Sequence, residues 1–217
     1  NVSFHVNTNS GDLIGTDTFV DNQVQLRKGS IYRCAQYGGF GILDEINMAK
    51  NDAVSVLHAA LDYRRCIDVP GYDKIDMHDA ARFIGTMNYG YAGTKELNEA
   101  LVSRFMVIDM PAQDEETLEF ILKRKFPKMK DNALKQWIGL FMDLQLKAYN
   151  SEITTKSLDL RGMIGALKTV EEGLKPGLAV KMGVVNKCFD MFEKEIVQDV
   201  VMTRIPDSWT REDVFEG

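Results

Sequence analysis

The chain has 217 residues, is 45% hydrophobic and 27% charged, and carries a formal net charge of −6. That is the composition of a globular protein with room for one large domain, or a domain with a smaller companion. The acidic balance counts against a general nucleic-acid or anionic-membrane binder. No apolar run reaches the ~20 residues of a membrane span, and the polar opening "NVSFHVNTNSGD" lacks a signal-peptide core. Cys34, Cys66 and Cys188 are scattered, which fits a reducing, cytoplasmic setting better than a disulfide framework. No cysteine or histidine pair has metal-ligand spacing.

Residues 2–7 alternate as a strand does. Residues 11–29 carry short β-prone pieces, Phe19–Val20 and Val24–Leu26, around an Asp-Asn turn signal, and so predict a hairpin insertion. "SIYRCAQYGG" predicts a helix with Ser30 as N-cap and Gly38 as its stop. Phe40–Leu43 reads as a buried strand running into Asp44 and Glu45. Val54, Leu57, Ala60 and Leu61 recur at helical spacing over 51–64. A β-hairpin turning at Pro70–Gly71 follows, then a strand over Arg82–Thr86 that leads to Asn88, a helix in "TKELNEALVSRF" and a strand in "MVIDM". This alternation of strands and helices predicts an α/β layer with a parallel sheet over residues 1–112.

After Pro111 the pattern is helical. "QDEETLEFILKRKF" opens with acids and ends with bases, complementing a helix dipole. Leu134, Trp137, Ile138, Phe141 and Leu144 form a second apolar stripe, and the stretches after residue 154 and from "GLAVKMG" onward each predict a further helix. Residues 113–203 are thus expected to be all-helical, with 204–217 as a tail without clear period.

A strand ending in Asp-Glu sets two carboxylates at the carboxyl edge of a sheet, where open α/β folds bind ligands. Asp44 there suits a Mg²⁺ ion held through water, and Glu45 an attacking water; a turn with two solvated acids accounts for the pair equally well. Asn88 ends a second apolar strand and either joins that site or serves a turn. Arg104 follows a helix whose apolar face is Leu97, Ala100 and Leu101, where a surface cation is ordinary. Arg161 falls in the first turn of a helix if Ser157 is its N-cap; a cation there opposes the dipole and asks for an anionic partner such as phosphate.

Taken in order, the carboxylate pair, the strand-end Asn, the "SRF" arginine and the helical-domain arginine resemble the AAA+ ATPases, in particular their MoxR/CbbQ-like branch. "DLIG", "RKGSIYRCAQYGGFGILDEIN" and "RRCIDVPGYDKIDMHDAARFIGTMN" are similar to that branch's helix-2 insertion, Walker B approach and pre-sensor-1 hairpin. The resemblance runs from about residue 2 to 200. It implies an αβα P-loop NTPase core over 1–112 and a helical lid over 113–203. It further implies Asp44 as the Walker B aspartate on Mg²⁺, Glu45 as the base, Asn88 as sensor 1, Arg104 as an arginine finger acting on a neighbour's ATP, and Arg161 as sensor 2. It also implies ATP and Mg²⁺ as cofactors, a homo-oligomeric ring, usually a hexamer, and a client protein or a von Willebrand A-domain adaptor as partner.

One motif is missing. A phosphate cradle needs G-x-x-x-x-G-K-[ST], and the sequence has no such string; "GYAGTKE" at 90–96 reads as a loop. The expectation is a fragment whose P-loop lies upstream, with weak nucleotide affinity, near-zero ATP turnover and an α/β part, residues 1–112, that packs poorly or uses another chain to cover the gap. Tyr89 departs from the proline of many relatives. The other readings are a non-hydrolysing scaffold subunit of a ring and a nucleic-acid-directed triphosphatase of the same architecture, which the acidic charge opposes.

Overall fold

The computed structural model describes residues 1–69, 71–88, 96–155 and 158–217. The chain divides into two compact units, Asn1–Asp109 and Met110–Gly217. In the first, β1 (Val2–Ser3), α1 (Ser10–Ile14), β2 (Gly15–Val20), β3 (Gln23–Lys28), α2 (Ser30–Tyr37) and β4 (Gly39–Asp44) are followed by α3 (Asn51–Val54), α4 (His58–Leu61), β5 (Cys66–Ile67), β6 (Ile75–Asp76), β7 (Ala81–Gly85) and α5 (Glu99–Val102).

The expected parallel sheet is present: β1, β4 and β7 pair in that order, with Val2 opposite Leu43 and Gly39 through Leu43 opposite Ala81 through Gly85. β4 is the central strand, so Asp44 closes the middle of the sheet at its carboxyl edge. The core beneath it gathers Phe4, Leu13, Ile31, Leu43, Leu57 and Leu101, all almost fully buried. The other face is bare, with Phe40 72% and Ile84 47% exposed, although parallel sheets are ordinarily covered on both faces.

The expected hairpins form. β2 and β3 pair from Gly15–Lys28 to Val20–Gln23, and Asp21 and Asn22 take φ of 50° and 60° at the turn, the conformation of a two-residue type I′ loop. β5 and β6 make a shorter ribbon; Pro70, expected in its turn, lies outside the described residues.

Several expected elements are shorter. The first strand stops at Ser3 because the Thr8 hydroxyl accepts the His5 N–H at 2.9 Å and the Thr8 N–H returns to the His5 carbonyl, a local turn that competes with the ladder. The helix expected over 51–64 breaks into α3, a 3₁₀ turn and α4 across Val54-Ser55-Val56, residues of low helix propensity. Gly29, not Ser30, is the N-cap of α2, while Gly38 at φ 81° ends it as expected. Of "TKELNEALVSRF" only Glu99–Val102 is helical, capped by Asn98; Thr94, Lys95 and Tyr89, and the rest of the "GYAGTKE" stretch short of Glu96, lie outside the described residues. "MVIDM" is not a strand: among the described residues nothing pairs with it or with the outer edge of β7, and Met106 and Ile108 stand 96% and 79% exposed. A strand needs a ladder partner to satisfy its backbone.

The second unit is all-helical as expected, with α6 (Glu115–Lys125), α7 (Asp131–Tyr149), α8 (Leu160–Glu171), α9 (Pro176–Gly183), α10 (Met191–Arg204) and α11 (Arg211–Val214). Asp114 caps α6 and Lys123, Arg124 and Lys125 close it. Trp137, Leu140, Leu167, Val180 and Val197 are fully buried at its centre. The last long helical pattern is two helices rather than one, because Asp190 caps a fresh start for α10 after a 3₁₀ turn at Val185–Lys187. Residues 204–217 are not a loose tail: Val214 and Phe215 are buried, the Phe215 ring lies 5.9 Å from that of Phe126, and Lys130 N–H donates to the Val214 carbonyl.

α8 and α9 cross on two glycines. A Cβ on Gly162 would stand 2.2 Å from the Gly183 carbonyl oxygen, and one on Gly183 would stand 2.6 Å from that of Gly162. Both obstacles are backbone, so neither can swing aside. Gly162→Ala is expected to cost about 1–3 kcal/mol, the ordinary range for overpacking, and to lower the thermal midpoint followed by circular dichroism at 222 nm; an unchanged midpoint would contradict the crossing.

Candidate active site

Asp44 is half-buried at the end of β4, and the chain turns sharply at the next residue: Glu45 takes φ 57° and ψ 44°, the left-handed region. For a non-glycine residue that costs about 1–2 kcal/mol, so something must hold it. Thr86, just beyond β7, does so. Its hydroxyl donates to Asp44 Oδ1 at 2.6 Å and accepts the Glu45 N–H at 3.2 Å. Its backbone is clamped on both sides, the Thr86 N–H donating to the Leu43 carbonyl and the Ile46 N–H to the Thr86 carbonyl, each at 3.0 Å. Asp44 in turn accepts at its carbonyl from the Phe4 N–H at 2.8 Å, which ties in the third strand.

A second tie reaches Asn88. Asn47 is 3% exposed, one of the few buried polar residues, and its Nδ2 donates to the Asn88 carbonyl at 2.9 Å. The structure thus brings Asp44, Glu45 and Asn88 to one sheet edge; Glu45 and Asn88 are exposed there.

Arg104 is held elsewhere in the same unit. It follows α5, and Phe105 beside it packs on the core near Gly85 and Ile46. Its Nη1 donates to the Ala100 carbonyl and its Nη2 lies 3.4 Å from Asp62 Oδ2, while its Nε is buried without a partner among the described residues. Asp62 also receives a forked pair from Arg64, with Nη2 at 2.7 Å. Arg64 above all holds the Asp62 carboxyl well below the usual carboxylate range, against the opposing effect of burial, and Arg104 adds to the pull.

Arg161 lies in the other unit, exposed in the first turn of α8 as expected. The cap is Asp159, whose Oδ1 accepts the Gly162 N–H at 2.9 Å; Ser157, the expected cap, lies outside the described residues. Lys187 pairs with the second oxygen of Asp159. Burial raises the Asp159 carboxyl, but Lys187 and the Gly162 amide outweigh it and leave it below its ordinary value.

The donor set suits an oxygen-preferring cation only in part. Mg²⁺ takes one or two carboxylates and completes its octahedron with water and phosphate oxygens. One half-buried carboxylate at a sheet end fits that role, and no group of three metal-binding side chains occurs among the described residues. Sequence reading passed over Thr86, Asn47 and Asp62. The first had a readable signal: Thr86 and Asn88 are two apart in "GTMN", and alternate residues of an extended chain share a side.

Thr86→Val keeps the shape and removes the hydroxyl, stranding one carboxylate oxygen and one amide. The expected loss is about 1 kcal/mol in urea unfolding, with Thr86→Ser restoring it; a Val variant as stable as the parent would contradict the bridge.

The family described as AAA domain (dynein-related subfamily) matches residues 1–105. An uncharacterised protein, YojN, of Bacillus subtilis is 29% identical over 93% of this chain and 68% of its own length. An uncharacterised protein of Staphylococcus haemolyticus is 26% identical over 92% of this chain and 78% of its own. A solved structure from Cytophaga hutchinsonii aligns over 94% of this chain and 68% of its own, with a TM-score of 0.45 and 18% identity. Residues 1–105, which hold the acid pair, the Thr86 bridge and Asn88 on one sheet edge, are thus similar to AAA domains of the dynein-related kind.

Proposed function

We propose that this chain supplies the metal- and water-handling part of an ATP-hydrolysing AAA+ site, together with its helical lid. The observation that carries the reading is the Thr86 hydroxyl bound to both Asp44 and Glu45. It links the end of one strand to the approach of Asn88 on the next, and so favours a site over two solvated acids. In this reading Asp44 would hold Mg²⁺ through water, and the ion, when bound, would supply charge neutralisation at the phosphates. Glu45 takes a proton from the attacking water and Asn88 orients that water. Arg104 serves the nucleotide of a neighbouring subunit, and Arg161 binds phosphate from the lid. Phosphoryl transfer asks for positioning and charge neutralisation of this kind.

The sequence itself has no G-x-x-x-x-G-K-[ST], so this reading needs a cradle supplied by residues other than these. The edge of β7 and the stretch "MVIDM", both unpaired among the described residues, and the exposed Phe40 and Ile84 support a place for one more parallel strand. An arginine finger acting between subunits calls for a ring. Its likeness to the MoxR/CbbQ-like branch favours a hexamer in the cytoplasm that remodels or activates a partner, a client or a von Willebrand A-domain adaptor. The bare apolar face would equally serve a non-hydrolysing scaffold subunit.

The test is turnover in a protein that joins a P-loop segment to this sequence. Glu45→Gln is expected to lower kcat by ~10²–10⁴ while ATP still binds, and Arg104→Ala by ~10³ or more. The 217-residue chain alone is expected to show no measurable turnover. Hydrolysis by that chain, or a Glu45→Gln protein at the parent rate, would overturn the reading.

A further inference from the structure

We propose that Asp62 is a positioning residue for Arg104: with Arg64 it forms a clasp that holds the arginine against its own subunit and sets how readily it leaves. This rests on Arg104 serving a neighbouring subunit, as read above.

Three features of the clasp carry the inference. First, Arg104 is folded back: its side chain is only 24% exposed and Asp62 is 13% exposed, so the guanidinium must move outward to meet an anion on another subunit. Secondly, its tie to Asp62 is long, although Nη1 also donates to the Ala100 carbonyl. One oxygen, Asp62 Oδ2, is shared between Arg64 Nη2 at 2.7 Å and Arg104 Nη2 at 3.4 Å, and Arg104 Nε is buried with no partner among the described residues. A guanidinium with an unmet buried N–H gains by moving to a ligand that satisfies it. Thirdly, release leaves no bare carboxylate. Arg64 keeps a forked pair through Nε and Nη2, and its own N–H also donates to Asp62 Oδ1 at 3.0 Å. Two cations therefore compete for one acid, and the nearer one is not Arg104. A multi-oxygen anion such as a triphosphate offers the planar fork more acceptors than its long bond to Asp62 does.

The competition gives variants of opposite sign. Removing Asp62 leaves the Ala100 carbonyl as the remaining described tie on Arg104; removing Arg64 lets Arg104 close on Asp62. A merely structural cluster would lose activity in both cases. The measurement is MgATP turnover against protein concentration in the ring-forming protein that contains a P-loop. Asp62→Asn is expected to raise turnover at subsaturating protein by about two- to fivefold, the range open to a partly exposed ion pair. Asp62→Glu is expected to restore the parent curve, and Arg64→Ala to lower turnover by a similar factor. As a readout free of activity, exchange of the Arg104 Nε–H with solvent, followed by NMR, should quicken in Asp62→Asn and slow in Arg64→Ala.

If Arg104→Ala abolishes turnover while Asp62→Asn and Arg64→Ala both lower it, or leave it unchanged, the clasp is overturned and the finger reading stands. If Arg104→Ala turns over at the parent rate, both fall.

Discussion

One hydroxyl group organises the carboxyl edge of the α/β unit's parallel sheet. Thr86 donates to the Asp44 carboxylate and accepts from the Glu45 amide, and those two bonds hold a non-glycine residue in a left-handed turn that would otherwise relax. The strain places an acid at the exposed tip of the sheet with its backbone fixed. Strained backbone of this kind persists only where surrounding structure over-determines it, and it concentrates at functional positions. The buried Asn47 adds a second clamp, through its side chain, to the carbonyl of Asn88. The acid pair and the backbone of the Thr86–Asn88 segment are thus hydrogen-bonded to one another across two parallel strands.

Among the described residues the same unit is open on its other side. A parallel sheet of three strands with Phe40, Ile84 and Met106–Ile108 open leaves apolar surface and a free ladder edge, which is a hazard for pairing with other chains. The helical unit has no such exposure at its centre; its Trp137 cluster is closed, even by the final Val214 and Phe215. Within that unit, Asp159 joins two demands, capping α8 and pairing with Lys187. That fixes the first turn on which Arg161 stands, right beside the Gly162–Gly183 crossing where α8 and α9 touch backbone to backbone.

What the sequence made legible was local. Gly38 as a stop, the Asp21–Asn22 turn, the apolar run into Asp44–Glu45 and the helical stripes through Trp137 and Leu144 are each written in neighbouring residues, and each is present. The α/β class with a parallel sheet followed by helices is likewise present. What failed depended on partners. "MVIDM" has the composition of a strand, yet a strand forms only against a ladder, and none is offered among the described residues. The turn captured by Thr8 and the packed C-terminal residues come from single side-chain bonds or contacts that carry no period, whereas the Val54–Val56 break lies in local propensity that the helical spacing of the apolar residues masked. The clasp was out of reach for another reason: Asp62 and Arg104 are 42 positions apart, and only the folded chain brings them together. Thr86 stood between, readable as the residue two before Asn88 but without any pattern that named its acceptor.

The account rests on the acid pair serving a metal-bound triphosphate. The most direct measurement is a crystal structure of this sequence joined to a P-loop segment, with a non-hydrolysable MgATP analogue bound. The account requires the metal within one water of the Asp44 carboxylate, with Glu45 and Asn88 facing the terminal phosphate. A nucleotide whose metal sits away from Asp44, with Glu45 turned out to solvent, would contradict it.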